Sequence, residues 1–516
     1  MSWKDLSELA PQLSTAELSF EKKKRLIGLF LGPSLFVLAL LSSPLPHVTP
    51  TGMRTLAIFA WAVAWWMTEP VPLPVTALLT LPLFVLLGVL PLERALGYWA
   101  HWVVIFMLGA FIIGYAMEKY GLTRRVSLHL IASRLVAGSP WRLLVLFLSA
   151  NTIVTGLISN TVVAVLFTSM GLGLLEILKA KPGSRYGLAL FLGVAWASNI
   201  GATFTPSGTP TNLIAIALAQ QAGYQIGYVQ WFLGTAGFTV IQTIAMFVVL
   251  RMFLRKEDLQ YHVPRESILE ELRKLGPMSR GEKFATAAIC MALTLWVLPE
   301  VSSMALGRAH PVAQLISARL NWGLAALMVG LSLFLMPLDW KNRKFVLSWG
   351  ETVNNVEWGT MALIAGALAV GETVGNATLG LGEFFGYAVS LISGPETSRY
   401  VFLLGTVSLS VFLTNLATNT AIISFLGPIA LSVAPIVGLN PVALIVVVSL
   451  SSCIGYSLPS SNPPCAIVFA SGYVRIFSMA FRGSVLSAIG IILLSLIGYP
   501  IAEWVFSSTV VTVPSP

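Results

Sequence analysis

The sequence predicts an all-α polytopic membrane protein with about 11 transmembrane helices in two inverted repeats, each holding a re-entrant hairpin and a broken helix. Three observations carry that expectation. Of the 516 residues, 56% are hydrophobic and only 10% charged, where soluble domains carry about a quarter. No Asp, Glu, Lys, Arg or His occurs in 143–175, 186–250 or 400–474. A helix crosses a bilayer with about 20 apolar residues, so the last two runs each hold several crossings. Finally, "TGLISNTVVAV" at 155–165 returns as "TNLATNTAIIS" at 414–424, the same small polar cluster 259 residues further on.

Residues 1–25 read as a polar cytoplasmic lead-in, because Lys22, Lys23, Lys24 and Arg25 should stay inside. The region 26–52 carries the first transmembrane helix, spanning 26–44. The first repeat, 53–250, opens with spans at 54–69, 75–91 and 101–118. Prolines 70, 72 and 74 forbid continuous helix between the first two. An amphipathic stretch at 125–138 is expected to lie along the inner surface. Residues 140–178 are too long for one span and are interrupted by "LISNT", so a hairpin of two half-length helices is predicted. The broken helix 186–222 is cut by "SNIGATFTPSGTPTN", and 231–250 returns inward. The charged stretch 251–283 is the cytoplasmic connector.

The second repeat, 284–516, copies this order. Spans fall at 284–299, 322–338 and 357–375, the hairpin at 398–434, the broken helix at 441–474, and a last span at 483–502. Asn160 matches Asn419 at an offset of 259, and Thr209-Pro210-Thr211-Asn212 matches Asn462-Pro463-Pro464-Cys465 at 253. An odd number of crossings separates the copies, so the hairpins enter from opposite sides. The C-terminus is then extracytoplasmic, in a cell (plasma or inner) membrane.

Several function classes drop out. The net charge is +9, but no aromatic-interleaved basic patch or zinc spacing accompanies it, so no nucleic-acid partner is expected. Cys290, Cys453 and Cys465 are isolated, and five histidines show no ligand spacing. No enzyme motif such as HExxH appears. A channel would show a repeated pore-lining pattern instead of inverted hairpins.

The breaks carry the chemistry. Bare backbone costs several kcal/mol per unpaired group in hydrocarbon, so each break must face protein, water or a ligand. Half-helix N-termini offer N–H groups and a positive dipole end to a carboxylate. Loop carbonyls offer oxygen to a hard cation. Ser159, Asn160 and Thr161, with Thr418, Asn419 and Thr420, add hydroxyls and amides that face both. One such tip is readily explained as helix-to-helix glue; two matched tips and two matched breaks point to a site. Gly201, inside the first break, is expected to offer its carbonyl to the cation. Cations beside a dianion reduce its charge at mid-membrane, which couples their movements. Glu69, Glu118 and Glu372 are expected in interfacial pairs or caps, and Trp61, Trp65 and Trp66 as interfacial anchors.

Four stretches carry a resemblance: "AWWMTEPVPLPVTALLTLPLFVLLGV" at 64–89, "IFMLGAFIIGYAMEKYGLTRR" at 105–125, "LISNTVVAVLF" at 157–167 and "LPSSNPPCAIVFASGY" at 458–473. On these the chain resembles the divalent anion:sodium symporter family of sodium-coupled dicarboxylate, citrate and sulfate transporters. The resemblance implies a homodimer whose protomers pair a scaffold with an elevator-type transport domain, with Na+ as coupling ion. It implies a first sodium site at Ser159, Asn160, Thr161 and Gly201, and a second at Thr418, Asn419, Thr420 and Thr414 with part of 458–462, Ser461 included. Thr209 and Pro210, with Asn462 and Pro463 in the second break, would shape the substrate cavity. The chain departs from the family's Thr-Pro-Pro-Asn at the second break, where it has Asn462 and Cys465, and Thr418 replaces the usual serine. Expected function is sodium-coupled symport of a C4 dicarboxylate (succinate, malate, fumarate). Sodium-independent exchange of 2-oxoglutarate, succinate or malate, or transport of sulfate or citrate, are the alternatives.

Overall fold

The apolar runs become helices of two length classes. The structure, a computed structural model, describes residues 15–132, 139–180, 183–255, 257–261, 265–392 and 399–507. Expectations on residues 1–14, 133–138, Lys181, position 398 and the C-terminal end from 508 lie outside the described residues. Seven helical segments are long and apolar enough to cross a bilayer, and a pair bent by 67°, Pro311–Arg319 with Trp322–Ser332, makes a further candidate. Five other apolar helices have only 12 to 16 residues. At 1.5 Å per residue they reach roughly 18–24 Å, short of the ~30 Å hydrocarbon core. Length alone therefore yields fewer than the eleven expected crossings, because chain breaks stop several helices part-way.

The principal helices are α1 (Thr15–Leu41), α2 (Pro50–Thr68), α3 (Leu73–Leu86), α4 (Trp102–Lys119), α5 (Pro140–Thr155), α6 (Asn160–Ile177), α7 (Arg185–Ala202), α8 (Pro210–Gln221) and α9 (Tyr228–Phe253). After the connector come α10 (Arg280–Leu306), α11 (Trp322–Ser332), α12 (Trp358–Gly375), α13 (Arg399–Thr414), α14 (Asn419–Val433), α15 (Pro441–Ser452), α16 (Pro463–Ala470), α17 (Ile476–Leu493) and α18 (Tyr499–Phe506). Helices eight apart in this numbering keep matching company. The α5–α6 pair packs on α7, and α13–α14 on α15. After each break the chain crosses over: α8 packs on α14 and α15, and α16 on α6 and α7. In the remaining layer, α4 packs on α11 and α3 on α12.

Glycine sets two of these contacts. A Cβ at Gly109 of α4 would lie 2.2 Å from the Ala326 carbonyl carbon, and one at Gly366 of α12 would lie 2.3 Å from the Ala77 oxygen. Both helices need a hydrogen where other residues carry carbon, so the backbones can touch. These two glycines stand 257 residues apart, close to the offsets of the tips and breaks.

Four details differ from expectation. Residues 15–25 belong to α1 instead of a separate lead-in. The span placed at 322–338 is helical only to Ser332, after a turn in which Asn321 accepts the Gly323 N–H at 2.7 Å. The chain is not purely helical: Pro337–Asp339 pairs with Lys344–Phe345, around a turn in which Asp339 accepts the N–H of Lys341 (3.0 Å) and Asn342 (3.2 Å). Trp61 and Trp66 are buried in protein and not at an interface, because α1 lies on α2 with Gly32 against the Trp61 and Trp65 rings. Glu372 is paired, accepting from Arg94.

Candidate functional site

Two tips and two breaks converge on a buried polar centre. At the first tip α5 ends at Thr155, and Ser159 precedes α6 as its cap residue with no side-chain capping bond. At the second, Thr418 caps α14 and accepts the Ala421 N–H at 3.4 Å. Asn160 and Asn419 open their helices and are buried. Ser159, Thr161, Thr418 and Thr420 are half-buried. Among the described residues, the hydroxyls of Ser159, Thr161 and Thr420 have no hydrogen-bond partner, so they remain available to a ligand.

Two hydrogen-bonded groups, one from each tip, come together around Gly455. The Asn160 amide donates to Asn199 Oδ1 (3.5 Å), and Asn199 donates to Asn462 Oδ1 (2.9 Å). Asn462 donates to the Gly455 carbonyl at 2.5 Å. Gly455 faces the Thr414 carbonyl, which a Cβ there would approach to 3.2 Å. Thr414 donates to Asn419 Oδ1 (3.0 Å) and to the Ser452 carbonyl (2.6 Å). Ser461, fully buried, donates to the Gly455 and Leu458 carbonyls at 3.1 and 2.5 Å. Buried amides linked this way polarise one another and fix a single geometry.

The breaks are held open by side chains. Asn212 donates to the Ala202 and Thr205 carbonyls, both at 2.8 Å, and accepts from Ser449 of α15 at 3.0 Å. Thr209 meets Thr211 at 3.2 Å, and Pro210 starts α8 where its missing N–H costs nothing. In the second break Pro463 plays that part for α16, and Asn462 Oδ1 also accepts the Cys465 N–H at 3.1 Å. The Gly201 carbonyl accepts from Phe204 N at 3.1 Å, and a Cβ at Gly201 would lie 2.2 Å from the Thr152 oxygen. Close packing of α7 on α5 thus accounts for glycine there. Of the residues singled out in the sequence, Asn160, Asn462 and Ser461 share one hydrogen-bonded group around Gly455, and Thr414 and Asn419 pair beside it; Gly201, Thr209 and Pro210 sit at the other break.

Sequence reading passed over several members. Asn199 is the link between tip and break. Ser198 donates to Asn151 Oδ1 at 2.9 Å, tying α7 to α5. Ser451 donates to Ser410 at 2.7 Å, tying α15 to α13. These pairs are related by the tip and break offsets of 259 and 253, so extending the repeat comparison residue by residue would have found them.

Two cavities approach this centre from opposite ends. One, of about 70 Å³, is lined by α4, by Ser159 and Val162 of the first tip, by Ser207, and by Glu118 and Glu357. Beside Glu118, Lys119 donates to Glu351 at 2.5 Å, which holds that carboxyl below its usual range. The other cavity, of about 660 Å³, is lined by Tyr228, Gln230, Glu300, Arg308 and Trp322. Trp296 borders both. It stacks on Tyr228 at 5.7 Å, and the Tyr228 hydroxyl meets Ser207 at 3.0 Å. An aromatic partition therefore divides the cavities beside the first tip.

Paired helix breaks around a buried neutral polar centre, with a cavity reaching the first tip, are the architecture of a membrane transport protein. The chain belongs to the sodium:sulfate symporter family: the family profile "Sodium:sulfate symporter transmembrane region" matches residues 23–507. Membership makes it a transporter and not an enzyme. Similar proteins include a sodium-dependent dicarboxylate transporter SdcS of Staphylococcus saprophyticus, 29% identical over 487 residues, covering 92% of this chain and 91% of that protein. The SdcS of Staphylococcus aureus strain USA300 is 27% identical over 498 residues, 93% of each. Among solved structures, the Alcanivorax borkumensis YdaH transporter matches with a TM-score of 0.50 at 15% identity, over 79% of this chain and 85% of that one, which speaks to the fold alone.

Proposed function

We propose that the chain is a sodium-coupled symporter of C4 dicarboxylates working by elevator-type alternating access. The carrying observation is the unpartnered hydroxyl set of the tips beside the buried amides of Asn160, Asn199, Asn462 and Asn419: two helix N-termini serve the two carboxylates, and the nearby carbonyls and amide oxygens serve sodium. Both SdcS relatives are named as sodium-dependent dicarboxylate transporters. On this reading Ser159, Asn160 and Thr161 with Gly201 hold one cation. Thr414, Thr418, Asn419, Thr420 and Ser461 hold the other, while Thr209, Pro210, Asn462 and Pro463 bound the substrate.

The matching company of helices eight apart supports two inverted repeats; the basic loops support a cytoplasmic N-terminus and an outer C-terminus, and the family resemblance supports a homodimer. One mismatch supports a moving part. α12 packs on α14, whereas their counterparts α4 and α6 flank the smaller cavity. In an inverted repeat such asymmetry defines one state, and exchanging the two environments gives the other. With basic loops inside, this is the inward-facing state.

A second reading, sodium-independent exchange, has a specific observation in its favour. Asn419 Oδ1 already accepts from Thr414, and the Gly455 carbonyl from Ser461 and Asn462, which leaves the second cation site fewer free oxygens. Reconstitution in liposomes separates the readings. Succinate uptake into empty vesicles under a sodium gradient is the expected result. Uptake only into dicarboxylate-loaded vesicles, unaffected by removing sodium, would establish exchange instead, and competition by sulfate or citrate would reassign the substrate.

A further inference from the structure

Arg185 opens α7 and Arg482 lies on α17, yet both line one groove whose walls include Leu188, Leu192, Leu250 and Phe253. Among the described residues no carboxylate lines it. The Arg482 guanidinium carbon stands 4.9 Å from the Phe253 ring centroid, and its polar contact is a 3.5 Å bond to the Ser478 carbonyl of its own helix. Arg185 has one acidic neighbour, Asp258, at 3.9 Å, and the same Asp258 oxygen is taken by the Arg255 N–H at 2.8 Å. Two guanidinium groups thus share a low-dielectric groove with little compensation, where like charges repel more strongly than in water.

The surroundings are apolar and bare. On α17, Phe477 and Phe481 are 82% and 57% exposed, and Phe481 meets Phe253 edge-on at 6.4 Å. At the same end of α9, Arg251 lies over the Trp141 ring at 5.9 Å. Arginine forks, aromatic rings and aliphatic walls occur together where a helix bundle meets the headgroup layer.

We propose that this groove between α7, α9 and α17 binds an anionic phospholipid. The phosphate sits between the forks of Arg185 and Arg482, whose planar donors match its oxygens. One acyl chain runs over Phe253 and covers the exposed Phe481 and Phe477 rings. A free phosphate would satisfy the charges but leave those apolar surfaces uncovered. The site depends on none of the residues assigned to transport.

The test uses delipidated full-length protein in mild detergent. Dioleoyl phosphatidylglycerol, dioleoyl phosphatidylcholine or inorganic phosphate is added, followed by native mass spectrometry and thermal melting. Expected is retention of phosphatidylglycerol, a Tm raised by several degrees, and at least tenfold weaker retention in Arg185→Gln/Arg482→Gln. Should that double variant fold poorly, Phe481→Ser, at an exposed position, is expected to weaken phosphatidylglycerol retention several-fold. Equal retention of phosphatidylcholine, equal stabilisation by inorganic phosphate, or unchanged phosphatidylglycerol binding in the variants would each overturn the proposal.

Discussion

Ser159 and Thr418 hold equivalent places at the two tips but spend their hydroxyls differently. Thr418 caps α14, while Ser159 caps nothing and lines the smaller cavity. Ser159→Ala is therefore expected to leave the melting temperature within about a degree and to cut succinate uptake at least tenfold. Thr418→Val should cost about 0.5–1 kcal/mol, the lower part of the range for a lost cap, and be read as a lowered Tm. Asn199→Ala removes the link between the first tip and the second break and strands the Asn160 amide, while Asn462 Oδ1 keeps the Cys465 N–H. Each unpaired buried group costs about 1–3 kcal/mol, so both stability and uptake should fall. The tips were legible because Ser-Asn-Thr and Thr-Asn-Thr interrupt long apolar runs. Asn199 was not, because a lone amide within a helix carries no local signal until a partner 263 residues away is placed beside it.

Elements pair through close backbone contact at two points and through a carboxylate at a third. Gly109→Val and Gly366→Val should each destabilise by roughly 1–3 kcal/mol or more, since an added side chain must push a neighbouring backbone aside. A matched loss in Tm at both positions is the expected measurement. Glu300 of α10 accepts the N–H groups of Val229 and Gln230 at 2.7 and 3.0 Å, and so caps α9 from another helix. A Cβ at Gly227 would fall 2.4 Å from that carboxylate, so glycine makes room for it. Under the proposed motion, any sliding of α9 against α10 opens this bond. Glu300→Gln weakens a charge–dipole contact of about 0.3–1 kcal/mol. It should shift the state populations up to several-fold, seen as faster labelling of outward-facing reporter cysteines. Helix existence was legible from hydrophobic runs. The early stop of the 322–338 span was less so, because a cap by Asn321 and a short strand pair look like apolar sequence until they fold.

At the scale of the whole molecule, cavities from two ends stop at Trp296. With Cys290 replaced by serine, a cysteine at Val162 is expected to react with an impermeant maleimide from the basic-loop side and not from the other. Saturating sodium and succinate should slow that reaction. Equal labelling from both sides would remove the case for a closed partition. Trp296→Ala opens it, and leak of substrate through proteoliposomes carrying this variant is the expected readout.

Composition and uncharged run length determined that this chain lives in a membrane, since no other solvent tolerates so much exposed apolar surface. The offsets of 259 and 253 showed where similar polar stretches recur and where helices should break. Tertiary structure alone decided which segments meet. After each break the chain crosses over, α8 to α14 and α15 and α16 to α6 and α7, so Asn199 and Asn462 bond across 263 residues. Such contacts follow from the packing of distant helices, which no local pattern encodes. Only the folded chain could show that Ser159 lines a cavity, because the other walls of that cavity come from helices distant in sequence.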